Sequence, residues 1–385
     1  MSLAITILYV VSAIALFLPH IGYPPLVFFL SRFKRLRPVG NSLPKLTLVI
    51  SAYNEVDVIR EKIENALALD YPQDLFEVMV ISDESEDGTD DVVLEYADRN
   101  VRLCRQEPRQ GKSAGLTRFC PEASGDVLVF TDANSIFQTQ ALKKLVRHFE
   151  DPSVGYSVGC QLYDSNDEGA SAESESLYWS IELKLKEWES RLSSVVGADG
   201  AIYALRKDLF EPLAAEDIND FLIPLKVVAK GYRGVFDREA VCFEKAAPDF
   251  NGEFRRKYRI VNRSLRAATK VPQAFNPFRV GWFSFQLTVH KLLRWLGPAF
   301  LGLMLLTSSC LMAIELSGGR IGLFTVLFGL LIAGFATAAL YLLPAFRKFK
   351  LIYIAYYFLL VNCAAALGIG LLLRGRTVGV WKPER

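Results

Sequence analysis

The segment KLTLVISAYNE at 45–55 decides the fold of this chain. Its apolar, β-branched first half predicts a buried strand, and apolar residues recur on one helical face from 56 to 69. The same order of features returns in FEVMVISDESEDGTD at 76–90 and in DVLVFTDANS at 126–135. Strands that alternate with helices in this way predict a mostly parallel α/β sheet covered on both faces.

Ligands of such sheets bind in the crevice beyond the carboxyl ends of the strands. Polar residues follow the predicted strands at that point, namely Tyr53, Asn54, Glu55, Asp83, Glu84, Asp132 and Asn134. Asp and Asn are also ordinary turn and N-cap residues, so each position alone is a weak indication of function. Converging carboxylates repel one another, which indicates a divalent cation shared with phosphate oxygens. The dinucleotide pattern G-x-G-x-x-G does not follow the first strand, and the Walker pattern G-x-x-x-x-G-K-[ST] is absent from the sequence.

The composition indicates a soluble domain set between membrane segments. The chain has 385 residues, 51% of them hydrophobic, and its 42 acidic and 44 basic residues are concentrated in the middle. This distribution excludes both an ordinary cytosolic enzyme and an all-membrane transporter. A net charge of +2 argues against a nucleic-acid partner. Six cysteines without a C-x-x-C pair argue against a zinc site or a disulfide framework, and favour a reducing compartment.

The first predicted membrane segment is the uncharged stretch 1–31, which exceeds the ~20 residues that a helix needs to cross the hydrocarbon core. Prolines at 19, 24 and 25 predict a kink in it. Four cations follow between Arg32 and Arg37, so the positive-inside rule places the central domain in the cytoplasm.

The C-terminal region contains three further uncharged runs, at 295–314, 321–346 and 351–373. Three crossings from the cytoplasm would leave the basic tail outside, whereas the basic loop at 347–350 and the tail itself both favour the cytoplasmic side. The two requirements conflict. A re-entrant or broken run, shielded from lipid by protein, is the alternative.

Two amphipathic stretches precede these runs. In FRRKYRIVNRSLRAATK at 254–270, apolar residues fall at i, i+4, i+7 and i+11 among seven cations. The pattern is typical of a helix that rests on anionic headgroups, and a second such helix is expected at 278–295.

Taken together, the motifs resemble family 2 glycosyltransferases with a GT-A fold, specifically the membrane-embedded polysaccharide synthases related to cellulose, chitin and hyaluronan synthases. The resemblance covers most of the chain. It rests on SAYNE at 51–55, SDESEDGTD at 82–90, GKSAGL at 111–116, TDANS at 131–135, GADGAIYALRKDLF at 197–210 and NDFLIPLKVVAKGYRGVFDREA at 219–240.

The resemblance implies a role for particular residues. The catalytic base would be Asp220, and the metal, Mg²⁺ or Mn²⁺, would be bound by Asp132 and Asn134. Asp83 would contact a uracil base. The full nucleotide-binding set would be Ala52, Tyr53, Glu55, Asp83, Lys112, Asp132, Arg256 and Arg259. The acceptor side would include Gly200, Tyr203 and Trp381.

The sequence departs from the family pattern in several places. The metal motif D-x-D reads Asp132-Ala-Asn134, so its second ligand is a neutral amide. The pair at the base reads Asn219-Asp220, with the carboxylates at 216 and 217 as rivals. Processive members carry Q-x-x-R-W, whereas this chain keeps the cation of that motif, at Arg259, but not its tryptophan. The ending VWKPER, with Trp381, resembles a W-x-x-R tail that folds back to the cytoplasmic active site.

The resulting hypothesis is an inverting, UDP-sugar-dependent hexosyltransferase of the bacterial inner membrane that elongates and exports a polysaccharide. A single-addition enzyme with a lipid-linked acceptor is the alternative, and a non-catalytic scaffold is disfavoured by Asp83, Asp132 and Asp220. For export, Tyr357 and Asn362 are expected to face a protein-lined groove rather than lipid. The predicted organisation is an anchor, a cytoplasmic catalytic domain, interface helices in contact with lipid, C-terminal spans and a basic tail, at 1–31, 44–253, 254–294, 295–373 and 374–385.

Overall fold

The structure is a computed structural model that describes residues 2–34, 39–164, 170–245 and 250–377. A single sheet of eight strands organises the middle of the chain. The strands are β1 (Leu46–Ala52), β2 (Phe76–Ser82), β3 (Val101–Arg105), β4 (Val127–Asp132), β5 (Ile136–Phe137), β6 (Val154–Asp164), β7 (Tyr203–Arg206) and β8 (Arg233–Lys245). The alternation of strands and helices predicted from the sequence is therefore confirmed.

The strand order is β3-β2-β1-β4-β7-β6-β8-β5. β1, β2, β3 and β4 are mutually parallel neighbours, whereas β7 runs antiparallel to both β4 and β6. Ala52 at the end of β1 pairs with Ser82, and the preceding Ser51 pairs with Asp132. The register therefore brings the polar residues that follow β1, β2 and β4 to one edge of the sheet.

Helices cover both faces of this sheet, so its central strands are apolar on both sides. Val49 and Phe130 belong to the core on one face, while Ile50 and Val129 belong to the core on the other. The helices of this region are α3 (Val56–Leu67), α4 (Thr89–Leu94), α5 (Lys112–Phe119), α6 (Ala141–Val146), α7 (Ala170–Leu192), α8 (Asn219–Ala229) and α9 (Phe250–Lys270). Fully burying one aliphatic side chain of this core, such as Val49 or Ile50, contributes roughly 1.5–3 kcal/mol to the free energy of unfolding.

Among the described residues, four helical segments are long and apolar enough to cross a membrane, namely Ser2–Ser31, Gly297–Ser317, Leu323–Leu342 and Lys350–Leu373. The first consists of α1 (Ser2–Phe17) and α2 (Tyr23–Ser31), joined by a π turn at Leu18–Gly22. The π turn accommodates Pro19, whose missing N–H interrupts α-helical bonding, so the segment stays helical at the position where a kink was predicted. The C-terminal helices are α13 (Gly297–Ser317), α14 (Leu323–Ala339) and α15 (Lys350–Leu373).

The second expected amphipathic helix, at 278–295, is broken into short pieces. They are α10 (Pro277–Val280), α11 (Trp282–Leu287), a π turn at Thr288–Leu292 and α12 (Leu293–Trp295). Gly281 interrupts the helix because its φ of +58° lies in the left-handed region, which other residues avoid.

A buried polar network joins the N-terminal segment to the sheet domain. The Tyr23 hydroxyl donates to Glu189 Oε1 at 2.6 Å, and His290 Nδ1 lies 2.7 Å from the same oxygen. His290 Nε2 lies 3.1 Å from Glu182 Oε2, whose second oxygen accepts from Arg294. Since Tyr23, Glu189 and His290 are fully buried, this network fixes α2, α7 and the segment 282–295 against one another.

The apolar stripe of α9 packs against α15. Val261 and Leu265 are buried in a cluster with Ala365. Asn262, which is fully buried, donates from Nδ2 to the carbonyl oxygen of Gly368 at 3.1 Å and to that of Arg376 at 3.3 Å. The sequence pattern identified the stripe, but its partner is a helix that lies about 100 residues further along the chain.

The crossing of α9 and α15 generates a stability prediction. A Cβ at Gly368 would lie 2.6 Å from the Tyr258 carbonyl oxygen, whereas a Cβ at Gly370 meets nothing within 4 Å. We expect Gly368→Ala to destabilise the protein by about 1–3 kcal/mol because two backbones must separate. Gly370→Ala gains the same helix propensity without the clash. Thermal unfolding of both variants in one detergent measures the difference, and equal midpoints would contradict the close crossing.

Candidate active site

The loop after β3 is fastened to the end of β2 by Asp83. Its Oδ1 accepts hydrogen bonds from the backbone N–H groups of Gln110 and Gly111, both at 3.0 Å, and from Gln106 Nε2. The carboxylate is almost fully buried. Asp83 therefore fixes the start of α5, whose first residue is Lys112. Its predicted contact with a uracil base stays a prediction.

Tyr53, Asn54 and Glu55 form the turn after β1. The Arg109 guanidinium carbon lies 3.4 Å from the centre of the Tyr53 ring, so cation and ring stack. Asn54 has a left-handed φ of +52°, and its Oδ1 accepts from the backbone N–H of Glu86 at 3.0 Å. This strained turn brings the loops after β1 and β2 together at the crevice.

Lys112 and Asp132 form an ion pair in the crevice, with Nζ and Oδ1 2.5 Å apart. Burial alone would lower the pKa of Lys112, but the carboxylates of Asp132, Asp220 and Glu244 raise it above its ordinary value. Lys112 is therefore a fixed cation among several carboxylates.

Asp220 lies in the first turn of α8. Its Oδ1 is buried and has no hydrogen-bond partner in the described part of the chain, and the N-cap residue of this helix is Ile218. A role as helix cap therefore does not explain Asp220. Burial, together with the charges of Asp199 and Asp132, raises the pKa of Asp220 to about 6, against the opposing effect of Lys112. This value suits a general base near neutral pH.

Three reactive groups meet at Gly200. A methyl group placed on its Cα would lie 3.3 Å from Asp220 Oδ2, 3.7 Å from Asp132 Oδ2 and 3.9 Å from Lys112 Nζ. Any side chain at this position would enter the space between them. The residues that sequence motifs placed on three separate segments are therefore neighbours in the fold.

Of the two rival carboxylates upstream of Asp220, that of Asp217 has structural partners. Asp217 is buried and pairs with Lys270 Nζ at 2.5 Å, while its second oxygen accepts from the backbone N–H of Ala214 at 2.9 Å. The Glu216 carbonyl oxygen accepts from Arg263 Nε at 2.9 Å. These contacts fix the loop before α8, and they leave Asp220 as the better candidate for the base.

Arg259 presents a cation to the same crevice from α9. Its guanidinium has no hydrogen bond or ion pair to any residue that the structure describes. Desolvation and the neighbouring Arg263 and Arg256 lower the pKa of Arg259 to about 10, while Asp220 and Asp132 oppose this effect. Arg256, by contrast, contacts the Tyr163 hydroxyl at 3.4 Å. Arg259 is therefore the cation that is available to an anionic ligand.

The donor set at Asp132 and Asn134 fits a hard divalent cation. Asp132 is partly exposed and Asn134 is exposed, and both offer oxygen. The described residues contain no group of three or more His, Cys, Asp or Glu side chains that could enclose a metal ion by themselves. A cation here would therefore take its remaining ligands from a diphosphate and water, as Mg²⁺ commonly does.

Two acidic residues that the sequence did not single out also belong to this region. Asp199, beside Gly200, pairs with Lys186 Nζ at 3.2 Å. Glu244, on β8, accepts from Ser135 Oγ and from Gln161 Nε2. Burial and the charge of Asp132 raise the pKa of Glu244 to about 7. Asp199 lay inside a recognised motif, whereas Glu244 carried no local signal.

The predicted acceptor role of Tyr203 has to be corrected. Its ring is fully buried and stacks on Phe130 with centroids 4.6 Å apart, and its hydroxyl accepts from Asn219 Nδ2 at 2.8 Å. It belongs to the core beneath the crevice because β7 turns this side chain inward. Trp381, also predicted at the acceptor side, lies outside the described residues, as does the end of the tail.

Residues 47–213 match the family model Glycosyl transferase family 2. This segment is a family 2 glycosyltransferase domain. The recognition made from the sequence motifs is therefore confirmed, and the family 2 domain contains Asp83, Lys112, Asp132 and Gly200. Asp220 and Arg259 lie beyond its matched end.

The sequence relatives agree with this result. The chain is 25% identical over 272 residues to the probable glycosyltransferase YdaM of Bacillus subtilis, covering 67% of this chain and 64% of that one. It is 24% identical over 226 residues to a poly-beta-1,6-N-acetyl-D-glucosamine synthase of Staphylococcus aureus, covering 57% and 54%. The chain thus spans between about half and two thirds of the length of these relatives.

Among solved structures, the mannosyltransferase PcManGT from Pyrobaculum calidifontis, in complex with GDP-Man and Mn²⁺, superposes with a TM-score of 0.69 at 22% identity. The superposition covers 95% of this chain and 99% of that one. The shared fold confirms the predicted GT-A architecture with helices at both ends of the chain.

The pKa of Asp220 gives a prediction for the pH profile. Its folded value of about 6 lies above the ordinary 3.8, so the carboxylate is protonated, and unable to accept a proton, below about pH 6. We expect kcat/KM for sugar transfer to fall roughly tenfold per pH unit below that point. Asp217→Asn should keep the same acid limb. A limb near pH 4 would contradict the raised pKa of Asp220.

Proposed function

We propose that this protein is an inverting glycosyltransferase that transfers a sugar from a UDP-sugar to a growing polysaccharide at the cytoplasmic face of a membrane, processively and coupled to export. The observation that carries the proposal is the convergence of Asp220, Asp132 and Lys112 around Gly200. A carboxylate with an unpaired oxygen thus lies beside the groups that would hold a diphosphate.

The chemistry assigned to this arrangement is an in-line displacement at the anomeric carbon. Asp220 accepts the proton of the acceptor hydroxyl, whose oxygen forms the new bond to that carbon. The bond from the carbon to the phosphate oxygen breaks, and its electron pair leaves with the diphosphate. Attack from the face opposite the leaving group inverts the configuration.

Stabilising the departing diphosphate falls to cations from two elements, because the crevice is otherwise acidic. Lys112 approaches from α5 and Arg259 from α9, and the latter has no competing partner in the described chain. A divalent cation at Asp132 and Asn134 would supply additional positive charge for the phosphate oxygens. The structural neighbour solved with GDP-Man and Mn²⁺ supports a nucleotide sugar and a metal of this class.

A second candidate is single addition of a sugar to a lipid-linked acceptor, and the packing of the spans is equally consistent with it. The contact between α1 and α13 is filled by buried side chains, namely Tyr9, Leu16, Met304 and Leu311. Tyr357 donates to Glu253 Oε1 at 3.1 Å, and Asn362 is buried and donates to the Phe358 carbonyl at 2.8 Å. These two side chains contact protein, as expected for a groove, but the contacts equally suit helix packing.

The experiment for the proposal uses purified protein in lipid nanodiscs with Mn²⁺ and a panel of UDP-sugars and GDP-mannose. We expect transfer from a UDP-sugar into long chains, and loss of transfer in Asp220→Asn with UDP-sugar binding retained, because the base acts on the acceptor. Asp217→Asn is the matched control and keeps most activity.

The outcomes separate the candidates. A product limited to one sugar per lipid would replace processive synthesis by single addition. Transfer only from GDP-mannose would correct the donor. Full activity in excess chelator would remove the metal from the proposal, and full turnover of Asp220→Asn would move the base elsewhere.

The contact between α9 and α15 supports a particular membrane orientation. We propose that α15 lies at the cytoplasmic face and does not cross. α9 is fixed to the catalytic domain through Arg263, which donates to the carbonyl oxygen of Glu216. α9 also binds the end of α15 through Asn262. With three crossings, at 2–31, 297–317 and 323–342, both basic segments lie on the cytoplasmic side as the positive-inside rule requires.

Labelling of single cysteines by an impermeant maleimide tests this topology in a variant whose exposed Cys310 and Cys363 are replaced by Ala. We expect Lys348→Cys and Arg376→Cys to react in inside-out vesicles only. Arg320→Cys, in the loop between α13 and α14, should react in intact cells. Labelling of Lys348→Cys and Arg376→Cys from opposite sides would show that α15 crosses the membrane.

A further inference from the structure

Lys62 is a fully buried lysine on the apolar face of α3. Its neighbours on that face, Ile59, Ile63 and Ala66, are buried in the core beneath the sheet. Removing an ammonium group from water costs several kcal/mol unless polar partners replace the water. An apolar residue would fill this position at no such cost, so the contacts of the ammonium group explain why it is there.

The ammonium group binds both ends of the loop that carries the proposed cation ligands. Lys62 Nζ donates to Thr131 Oγ1 at 3.0 Å and to the backbone carbonyl oxygen of Ser135. Thr131 directly precedes Asp132, and Ser135 directly follows Asn134. The two hydrogen bonds therefore bracket the tripeptide Asp132-Ala-Asn134.

Asn65, one helical turn further along α3, continues the same attachment. Its Nδ2 donates to the carbonyl oxygen of Phe137 at 2.9 Å, and its Oδ1 accepts from the backbone N–H of Phe137 at 2.9 Å. The Phe137 ring lies over the ammonium group of Lys62, with Nζ 4.0 Å from the ring centre. Residues 131–137 are thus held by two side chains of one helix, and the loop has little freedom to move relative to α3.

We propose that Lys62 is a positioning residue that holds the 131–135 loop so that Asp132 and Asn134 present their oxygens to a divalent cation carried by the donor nucleotide. This inference rests on the proposed function, because it assumes that the cation binds at Asp132. It assigns Lys62 no contact with substrate. Its effect passes through the backbone of the loop.

The charge of Lys62 and its hydrogen bonds predict opposite effects on cation binding. A cation close to the site repels Mn²⁺, so a purely electrostatic role means that removing the charge tightens Mn²⁺ binding. A positioning role means that removing the donor loosens the loop and weakens binding. The direction of the change therefore distinguishes the two.

The experiment measures Mn²⁺ binding to full-length protein in nanodiscs by electron paramagnetic resonance, with UDP present and with GDP in a parallel series. We expect Lys62→Met to raise the Kd for Mn²⁺ about tenfold, and to raise the KM for the donor more than it lowers kcat. Arg60→Met, on the exposed side of the same helix, is the control and should leave the Kd unchanged.

A milder variant keeps the test decisive if Lys62→Met folds poorly. Thr131→Val removes one acceptor and retains the lysine, and we expect the Kd to rise severalfold. In the double variant the effect should not exceed that of Lys62→Met alone, because both changes break the same attachment. An unchanged or lower Kd in Lys62→Met and Thr131→Val overturns the positioning role. Wild-type protein that fails to bind Mn²⁺ both with UDP and with GDP removes the metal from the proposed function, and it overturns the positioning role because no cation site is left to position.

Discussion

Mutual repulsion among carboxylates is the constraint on which this site depends. Burial and the nearby charges of Asp132 and Asp199 raise the pKa of both Asp220 and Glu244. Asp132 and Glu244 lie on strands, Asp199 precedes β7, and Asp220 lies in the first turn of α8, so the fold as a whole brings them together. Cations on separate helices balance them, with Lys112 on α5, Lys186 on α7 and Arg259 on α9. The site is therefore complete only when all of these helices are in place.

This requirement gives the apolar ends of the chain a part in the chemistry. Arg259 lies on α9, whose position is set by α15 at the close backbone approach of Gly368. Lys186 lies on α7, which is fixed to the N-terminal segment through Glu189, His290 and Tyr23. The helices proposed to contact the membrane thereby position the cations of the crevice. A change in their packing is expected to affect transfer without any contact with substrate.

Three of the site residues that were predicted from the sequence stand at a strand end or a helix start, whereas Arg259, within α9, was predicted through the family resemblance. Asp132 follows an apolar run, Lys112 begins a helix after Gly111, and Asp220 opens a helix that follows a turn. Glu244 and Lys62 lacked such a signal, because one lies within a strand and the other within an amphipathic helix. Tyr203 was predicted from its motif, but its side chain lies in the core and is therefore not part of the site.

The sequence by itself determined the alternation of strands and helices, the apolar segments and the polar crevice edge. These features follow from periodicity and turn chemistry over short stretches. Such local patterns can be recognised without knowing which other segments of the chain they contact. The tertiary structure decided which face each side chain occupies, that α9 binds α15, and that Lys62 reaches the loop after β4. Those outcomes depend on register and on contacts between segments distant in the chain, and short-range patterns do not encode them.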